Sequence, residues 1–268
     1  MGKKGYLRAL FVMLAVAMLT VLASSTAVAA SKKKNTWYES SSGNYYYYNQ
    51  NGKKLKDGKY EIKGKYYYFD SDGIQRTGWQ KVDGSYYYFK IAKGKKGYML
   101  TSQDVNGIVL NKNGKAKLTS YSRKKLPILY KANLMMQSIT KNSDTKKEKL
   151  RKCFNYTLSY LRYASIGSFQ WSPNWDLYYA TRIFVSGYVT GACYTHAVVF
   201  GYLANAVGYR VNVISSGYHG WTEINNLIYD ASWSRSDKTH DYFGMPYGVT
   251  GAGILLNYAS SRNYIITI

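Results

Sequence analysis

Three residues in the C-terminal part of this 268-residue chain could together perform nucleophilic chemistry: Cys193 in GACYTHAVVFGYLANAVG, His219 in HGWTEI and Asp230 in YDASW. Cysteine supplies a thiolate nucleophile and histidine a general base. A carboxylate can fix the imidazole tautomer and stabilise the imidazolium. The chain has only two cysteines and three histidines, so the stretch from Gly191 to Trp233 holds most of its reactive side chains.

The elements that must position them follow from local patterns. After Cys193, the apolar residues Ala197, Phe200, Leu203, Ala204 and Val207 recur at helical spacing, and Gly208 falls where a left-handed cap would end the helix. Cys193 is therefore expected in a first helical turn, where unpaired N–H groups and the positive dipole end favour thiolate over thiol. Its own N–H could serve as part of an oxyanion hole. Arg210 to Ser215, His219 to Ile224 and Leu227 to Ser232 read as strands, with Asn225-Asn226 as a two-residue hairpin turn. Pairing Ile224 with Leu227 sets Trp221 opposite Asp230 and His219 opposite Ser232. His219 and Asp230 then share a sheet face as diagonal neighbours, about 7 to 8 Å apart at Cα, within reach of a carboxylate–imidazole hydrogen bond.

Three other readings compete. Cys193 could be a small buried hydrophobe, or it could form a disulfide with Cys153. Cys153, however, lies on the apolar stripe Leu150, Cys153, Phe154, Leu158, Leu161 of another helix, which suits a core position. His196, one turn beyond Cys193, could compete as base, but its own helix would set it alongside the sulfur. His240 falls in a polar loop.

The Gly-x-Cys turn at 191–193, the Ala197, Leu203 and Gly208 spacing behind it, HGWTEI and YDASW resemble the transglutaminase-like superfamily, a branch of the papain-like cysteine enzymes. That family usually has His-Ala-Trp-Asn where this chain has His-Gly-Trp-Thr. The resemblance implies Cys193 as nucleophile, His219 as base and Asp230 as orienting acid. It also implies helices packed on an antiparallel sheet.

The N-terminal part has a different character. Residues 1–30 read as a secretory signal peptide: Lys3, Lys4 and Arg8, an apolar run from Ala9 to Ala23, then AVAA before Ser31. The alternative is an uncleaved anchor helix, for which the run is short. With cleavage, no stable membrane span is expected. The formal charge is +23; removal of residues 1–30 takes away three bases and no acid, leaving +20. Such a balance favours anionic partners. No nucleic-acid recognition motif occurs, so an anionic wall polymer fits better.

Residues 31–117 repeat. Gly43 opens GNYYYYN, Gly64 opens GKYYYFD, Gly84 opens GSYYYFK, and Gly107 opens a degraded copy, GIVLNKNG. Trp37, Tyr60 and Trp79 precede the first three cores, and the turn signals Asn51-Gly52, Asp72-Gly73 and Asn113-Gly114 follow three of the copies. Stacked β-hairpins forming a solenoid are expected. The phrase TGWQKVDGSYYYF resembles the choline-binding and glucan-binding cell-wall repeats of Gram-positive surface proteins. In that family aromatics cage a quaternary ammonium group or stack on sugar rings. The resemblance implies Trp37, Tyr60 and Trp79 as ligand-binding residues, with Tyr66 and Tyr86 where choline sites usually have Trp. The same tyrosine runs could instead only pack the solenoid.

Residues 118–126 read as a polar, basic linker, and residues 127–268 as the catalytic domain. A first helix is expected over Pro127 to Thr140, and a second to about Tyr163, opened by the capping box Thr145-Lys-Lys-Glu148. Trp171 and Trp175 could line a cleft or cover the core. The segment from Trp233 to Met245 reads as loop, and Asn263 to Ile268 as a closing strand. No zinc, phosphate-loop or dinucleotide spacing occurs, so neither metal nor cofactor is expected.

The fold class expected is thus α+β: a papain-like, transglutaminase-like domain after a β-hairpin solenoid. The expected protein is secreted and bound to peptidoglycan, teichoic acid or glycan of the cell wall. It would use a cysteine acyl-transfer site on a protein or peptide substrate, with either water or an amine resolving the thioester. The rival expectations are a wall-binding adhesin whose second domain is scaffold alone, and a lysin targeted to glycan.

Overall fold

The structure, a computed structural model, describes residues 33–91, 97–165, 167–252 and 258–268. The expected signal peptide lies outside the described residues. The architecture is mixed α/β, with several small antiparallel sheets and one of five strands.

Four hairpins occupy the N-terminal part. They are β1 (Thr36–Glu39) with β2 (Tyr45–Tyr48), β3 (Gly58–Ile62) with β4 (Lys65–Phe69) and the short β5 (Gln75–Arg76), β6 (Gly78–Val82) with β7 (Ser85–Phe89), and β8 (Asp104–Val105) with β9 (Ile108–Val109). The glycine that opens each of the last three copies is the second residue of its hairpin turn. The pairs Lys63-Gly64, Asp83-Gly84 and Asn106-Gly107 have φ of 51 and 74°, 48 and 74°, and 57 and 75°. Both central residues at positive φ is the geometry whose twist matches the flanking strands. The aromatic runs alternate as strands must: in β4, Tyr67 and Phe69 are buried while Tyr66 faces outward.

The C-terminal part begins earlier than the sequence suggests. Helix α1 spans Ser120–Ile139, so most of the expected linker 118–126 is helical. Pro127, expected in the first turn, lies two turns inside. The start is set instead by Thr119, which accepts from the Ser122 amide while the Ser122 hydroxyl accepts from the Thr119 amide, a reciprocal cap. An interior proline costs roughly 3 kcal/mol, and the packing of Leu126, Ile128, Leu129 and Ala132 into the main core offsets it. Helix α2 spans Lys146–Tyr160 and carries the expected Thr145–Glu148 capping box.

The remaining elements are β10 (Arg162–Tyr163), α3 (Trp175–Ala180) continuing through one wider turn at Thr181–Val185, β11 (Thr190–Gly191), α4 (Cys193–Val207), β12 (Asn212–Ser215), β13 (Gly220–Ile224), β14 (Leu227–Tyr229), a short helix α5 (Trp233–Ser236), β15 (Phe243–Pro246) and β16 (Tyr264–Thr267). The five-stranded sheet has the order β15-β14-β13-β12-β16, antiparallel throughout. The segment from Trp233 to Met245, expected as loop, thus contributes a helical turn and most of an edge strand. Helix α4 packs against β12 and β13 on one side and α1 and α2 on the other.

The β13–β14 hairpin has the register expected from the sequence, Ile224↔Leu227 through Thr222↔Tyr229. Asn225 and Asn226 close it with φ of 51° and 60°. Glycine adopts that conformation at lower cost than asparagine. Asn226→Gly is accordingly expected to raise stability, read as a higher melting temperature; an unchanged or lower one would count against this turn geometry.

Candidate active site

Cys193 is the first residue of α4, after Ala192 in extended conformation, and Gly208 ends the helix at φ 100°. His219 immediately precedes β13 and Asp230 immediately follows β14, so the tight hairpin fixes both ends of the pair. His219 Nε2 lies 2.5 Å from Asp230 Oδ2. The Cys193 sulfur lies close enough to the same imidazole to act on its proton affinity, and Nδ1 is the ring nitrogen that Asp230 leaves over. All three are buried, with 4%, 8% and 1% exposure for Cys193, His219 and Asp230. The structure therefore brings together the three residues singled out in the sequence.

Two close approaches hold strand and helix in this relation. A side chain at Gly220 would place its Cβ 3.0 Å from the Tyr194 Cα, so the glycine in His-Gly-Trp-Thr lets β13 press against the first turn of α4. Thr222, at the motif's fourth position, donates its hydroxyl to the Ala197 carbonyl at 2.8 Å. The Tyr194 hydroxyl donates to the Gly217 carbonyl at 2.9 Å, tying the loop before His219 to the helix.

Electrostatically, burial opposes the imidazolium of His219, but the charge and hydrogen bond of Asp230, and then the Cys193 sulfur, outweigh it and raise its pKa above the usual histidine range. Burial would likewise raise the Asp230 carboxyl. The charge and hydrogen bond of His219, with the Trp233 amide and the Ser232 hydroxyl, outweigh this and hold it below the usual carboxylate range. The arrangement can thus keep a positive imidazole beside a sulfur.

Cys153 and Cys193 are both free thiols. Cys153 is fully buried in the core, and burial pushes its thiol up to about 12. His196 is tied through Nδ1 to the Ala192 carbonyl at 3.0 Å, and burial lowers its pKa, keeping it neutral. His240 pairs with Asp237 at 2.7 Å. Of the two tryptophans, Trp175 is core and Trp171 is exposed, its ring 6.2 Å from that of Tyr264.

Two neighbours carry no sequence signal. Tyr163, on β10, feels the charges of both Cys193 and Asp230. It reaches the site because β10 pairs with β11, Tyr163 opposite Gly191. Tyr258 donates to Asp230 from 28 residues further along the chain.

The aromatic positions of the repeats separate. Trp37 and Tyr60 join one cluster with Tyr47, Tyr67 and Phe69, in which Trp37 meets Tyr47 and Tyr67 edge-on at 5.3 and 5.0 Å. Tyr66 faces outward with the Lys59 ammonium 5.0 Å from its ring centre. Tyr86 packs edge-on against Tyr130 of α1. Trp79, expected to bind ligand, is instead a core residue: it is 2% exposed, packs with the α1 side chains and donates from Nε1 to Asn106. The α1 side chain Asn133 donates to the carbonyls of both Thr77 and Trp79 at 3.0 Å, which locks the third hairpin onto the helix.

Residues 57–103 match the choline-binding repeat family. Among solved structures, CbpJ from Streptococcus pneumoniae is 27% identical over 30% of this chain and 26% of its own, with a TM-score of 0.27. Choline binding protein F from the same organism, solved in the presence of a peptidoglycan analogue, is 26% identical over 31% of this chain and 26% of its own, with a TM-score of 0.27. Alternansucrase from Leuconostoc mesenteroides is 24% identical over 31% of this chain and 8% of its own, with a TM-score of 0.28. The chain thus spans about a quarter of the length of the first two. No curated protein sequence matches it. Among the described residues there is no group of side chains suited to a metal ion, and no helix is long and apolar enough to cross a membrane.

Proposed function

We propose that this chain is a cell-surface binding protein whose repeats attach it to choline or glycan of the wall, and whose C-terminal part is a papain-like cysteine acyl-transfer site. The match of residues 57–103 to choline-binding repeats supports attachment. The catalytic reading is carried by one observation, a buried His219–Asp230 pair whose imidazole is influenced by a cysteine on the first turn of a helix. The Cys193 thiolate attacks an amide carbonyl, the tetrahedral oxyanion forms near the N-terminal amides of α4, and His219 passes its proton to the leaving amine. Water, deprotonated by the same imidazole, then cleaves the thioester and regenerates the thiol; an amine in its place gives a crosslink.

The experiment is alkylation of the folded protein with iodoacetamide at pH 6, located by peptide mass. Cys193 is expected to label rapidly and Cys153 not at all, and His219→Ala is expected to slow Cys193 labelling about tenfold or more, since removal of the imidazolium removes the partner of the thiolate. A second reading, an adhesin with a silent scaffold, is favoured by the match of residues 57–103 to choline-binding repeats. Equal labelling with and without His219 would select it.

A further inference from the structure

The Asp230 carboxylate accepts hydrogen bonds from five donors, and one of them lies outside every motif. Oδ1 accepts from the Ser232 amide at 3.0 Å, the Ser232 hydroxyl at 2.8 Å and the Trp233 amide at 2.9 Å. Oδ2 accepts from the Tyr258 hydroxyl at 2.8 Å, and that same oxygen faces His219 Nε2 at 2.5 Å. Tyr258 is itself buried, its ring edge-on to Trp221 at 5.0 Å and 88°, and 6.2 Å from the His219 ring. The phenol is therefore held in place by the side chains that also hold the imidazole.

The consequence is one of proton affinity. A carboxylate buried to this degree beside an imidazole can lower its desolvation cost by taking the shared proton, which leaves a neutral pair. That transfer would discharge the imidazolium on which a thiolate depends. Each donor to the carboxylate disperses its charge and makes the transfer less favourable. A donor on the very oxygen that faces the imidazole acts most directly.

The geometry points to Tyr258 as a positioning residue of the cysteine site: by donating into Oδ2 it caps the basicity of Asp230, keeps the shared proton on His219 and fixes the ring with Nδ1 toward Cys193. This rests on the acyl-transfer reading. Tyr258 remains a donor because burial and the Asp230 charge both push its phenol up. Other titratable groups face the cluster from the packed elements. Tyr163 and His196 feel Asp230 from the side of α4 and β10, and Arg235 acts on His196. Tyr242 and Asp237 face Tyr258 from beyond α5.

The test follows the His219 ring by nitrogen-resolved NMR in wild type, in Tyr258→Phe and in Tyr242→Phe, whose hydroxyl bonds Asp237 and not Asp230. With the donor lost, Asp230 is the more basic partner and draws the shared proton from Nε2, whose signal below the midpoint is expected to move toward the unprotonated position, while the pair as a whole holds the proton more tightly and its titration midpoint rises by about one pH unit, a tenfold change in proton affinity. Tyr242→Phe is expected to leave it unchanged. Should Tyr258→Phe not fold, difluorotyrosine at position 258, a stronger donor of the same shape, is expected to lower the midpoint. A midpoint that stays at the wild-type value in whichever Tyr258 variant folds, or that moves equally in Tyr242→Phe, overturns the inference. Failure of His219→Ala to slow alkylation would instead overturn the acyl-transfer reading and leave the midpoint result standing.

Discussion

Asp230→Asn is expected to lower turnover at Cys193 by about 10³- to 10⁴-fold with the fold retained, the scale seen when the carboxylate of a catalytic triad becomes an amide. The neutral amide occupies the same space and can still accept from the Ser232 and Trp233 amides through its oxygen. It cannot hold an imidazolium, and its NH₂ group would meet either His219 Nε2 or the Tyr258 hydroxyl with the wrong polarity. The imidazole is then free to adopt the wrong tautomer. Asp230→Ala carries a second penalty, because buried donors lose their acceptor and His219 its counter-charge, a combination that costs about 3 to 5 kcal/mol when a buried pair is broken. Single-turnover acylation by an activated ester separates the two effects: Asp230→Asn should acylate slowly at near wild-type melting temperature, and Asp230→Ala should also melt lower. Wild-type acylation rates in Asp230→Asn would remove Asp230 from the mechanism.

Trp79→Ala is expected to destabilise the protein by about 3 to 5 kcal/mol, the usual cost of truncating a buried tryptophan. It would empty a space lined by α1 side chains and leave Asn106 without its indole donor. A ligand platform behaves differently: its removal weakens retention on cell walls and leaves the melting temperature alone. Calorimetry of the variant therefore decides between the two roles. Loss of wall retention at an unchanged melting temperature would restore Trp79 as a binding residue.

These two residues also mark how far a sequence reading can reach. The hairpin that carries His219 and Asp230 is local: its turn, its alternation and its register are written in fourteen consecutive residues, so the facing pair follows from counting. Helix α4 is equally legible because its apolar spacing and terminal glycine agree. Trp79 is not, since Trp37 and Tyr60, which also precede their copies' tyrosine runs, pack half-buried within the hairpins, whereas Trp79 enters the main core. What decides is whether α1 lies across that copy. The start of α1 was hidden for the same reason, because a proline that would ordinarily open a helix is carried inside one by packing against the repeats and the core. Tyr258 lies in a segment without periodicity, and its role exists only once β16 returns the chain to the sheet edge.

The Asn133 clamp on Thr77 and Trp79, tight enough that a Cβ at Gly78 would fall 2.3 Å from the Asn133 oxygen, leaves no slack between the hairpins and the helix that supports α4. A tension applied along the repeats is carried by the same side chains that line the core behind Cys193. Mechanical load on the repeats is thus load on the scaffold of Cys193.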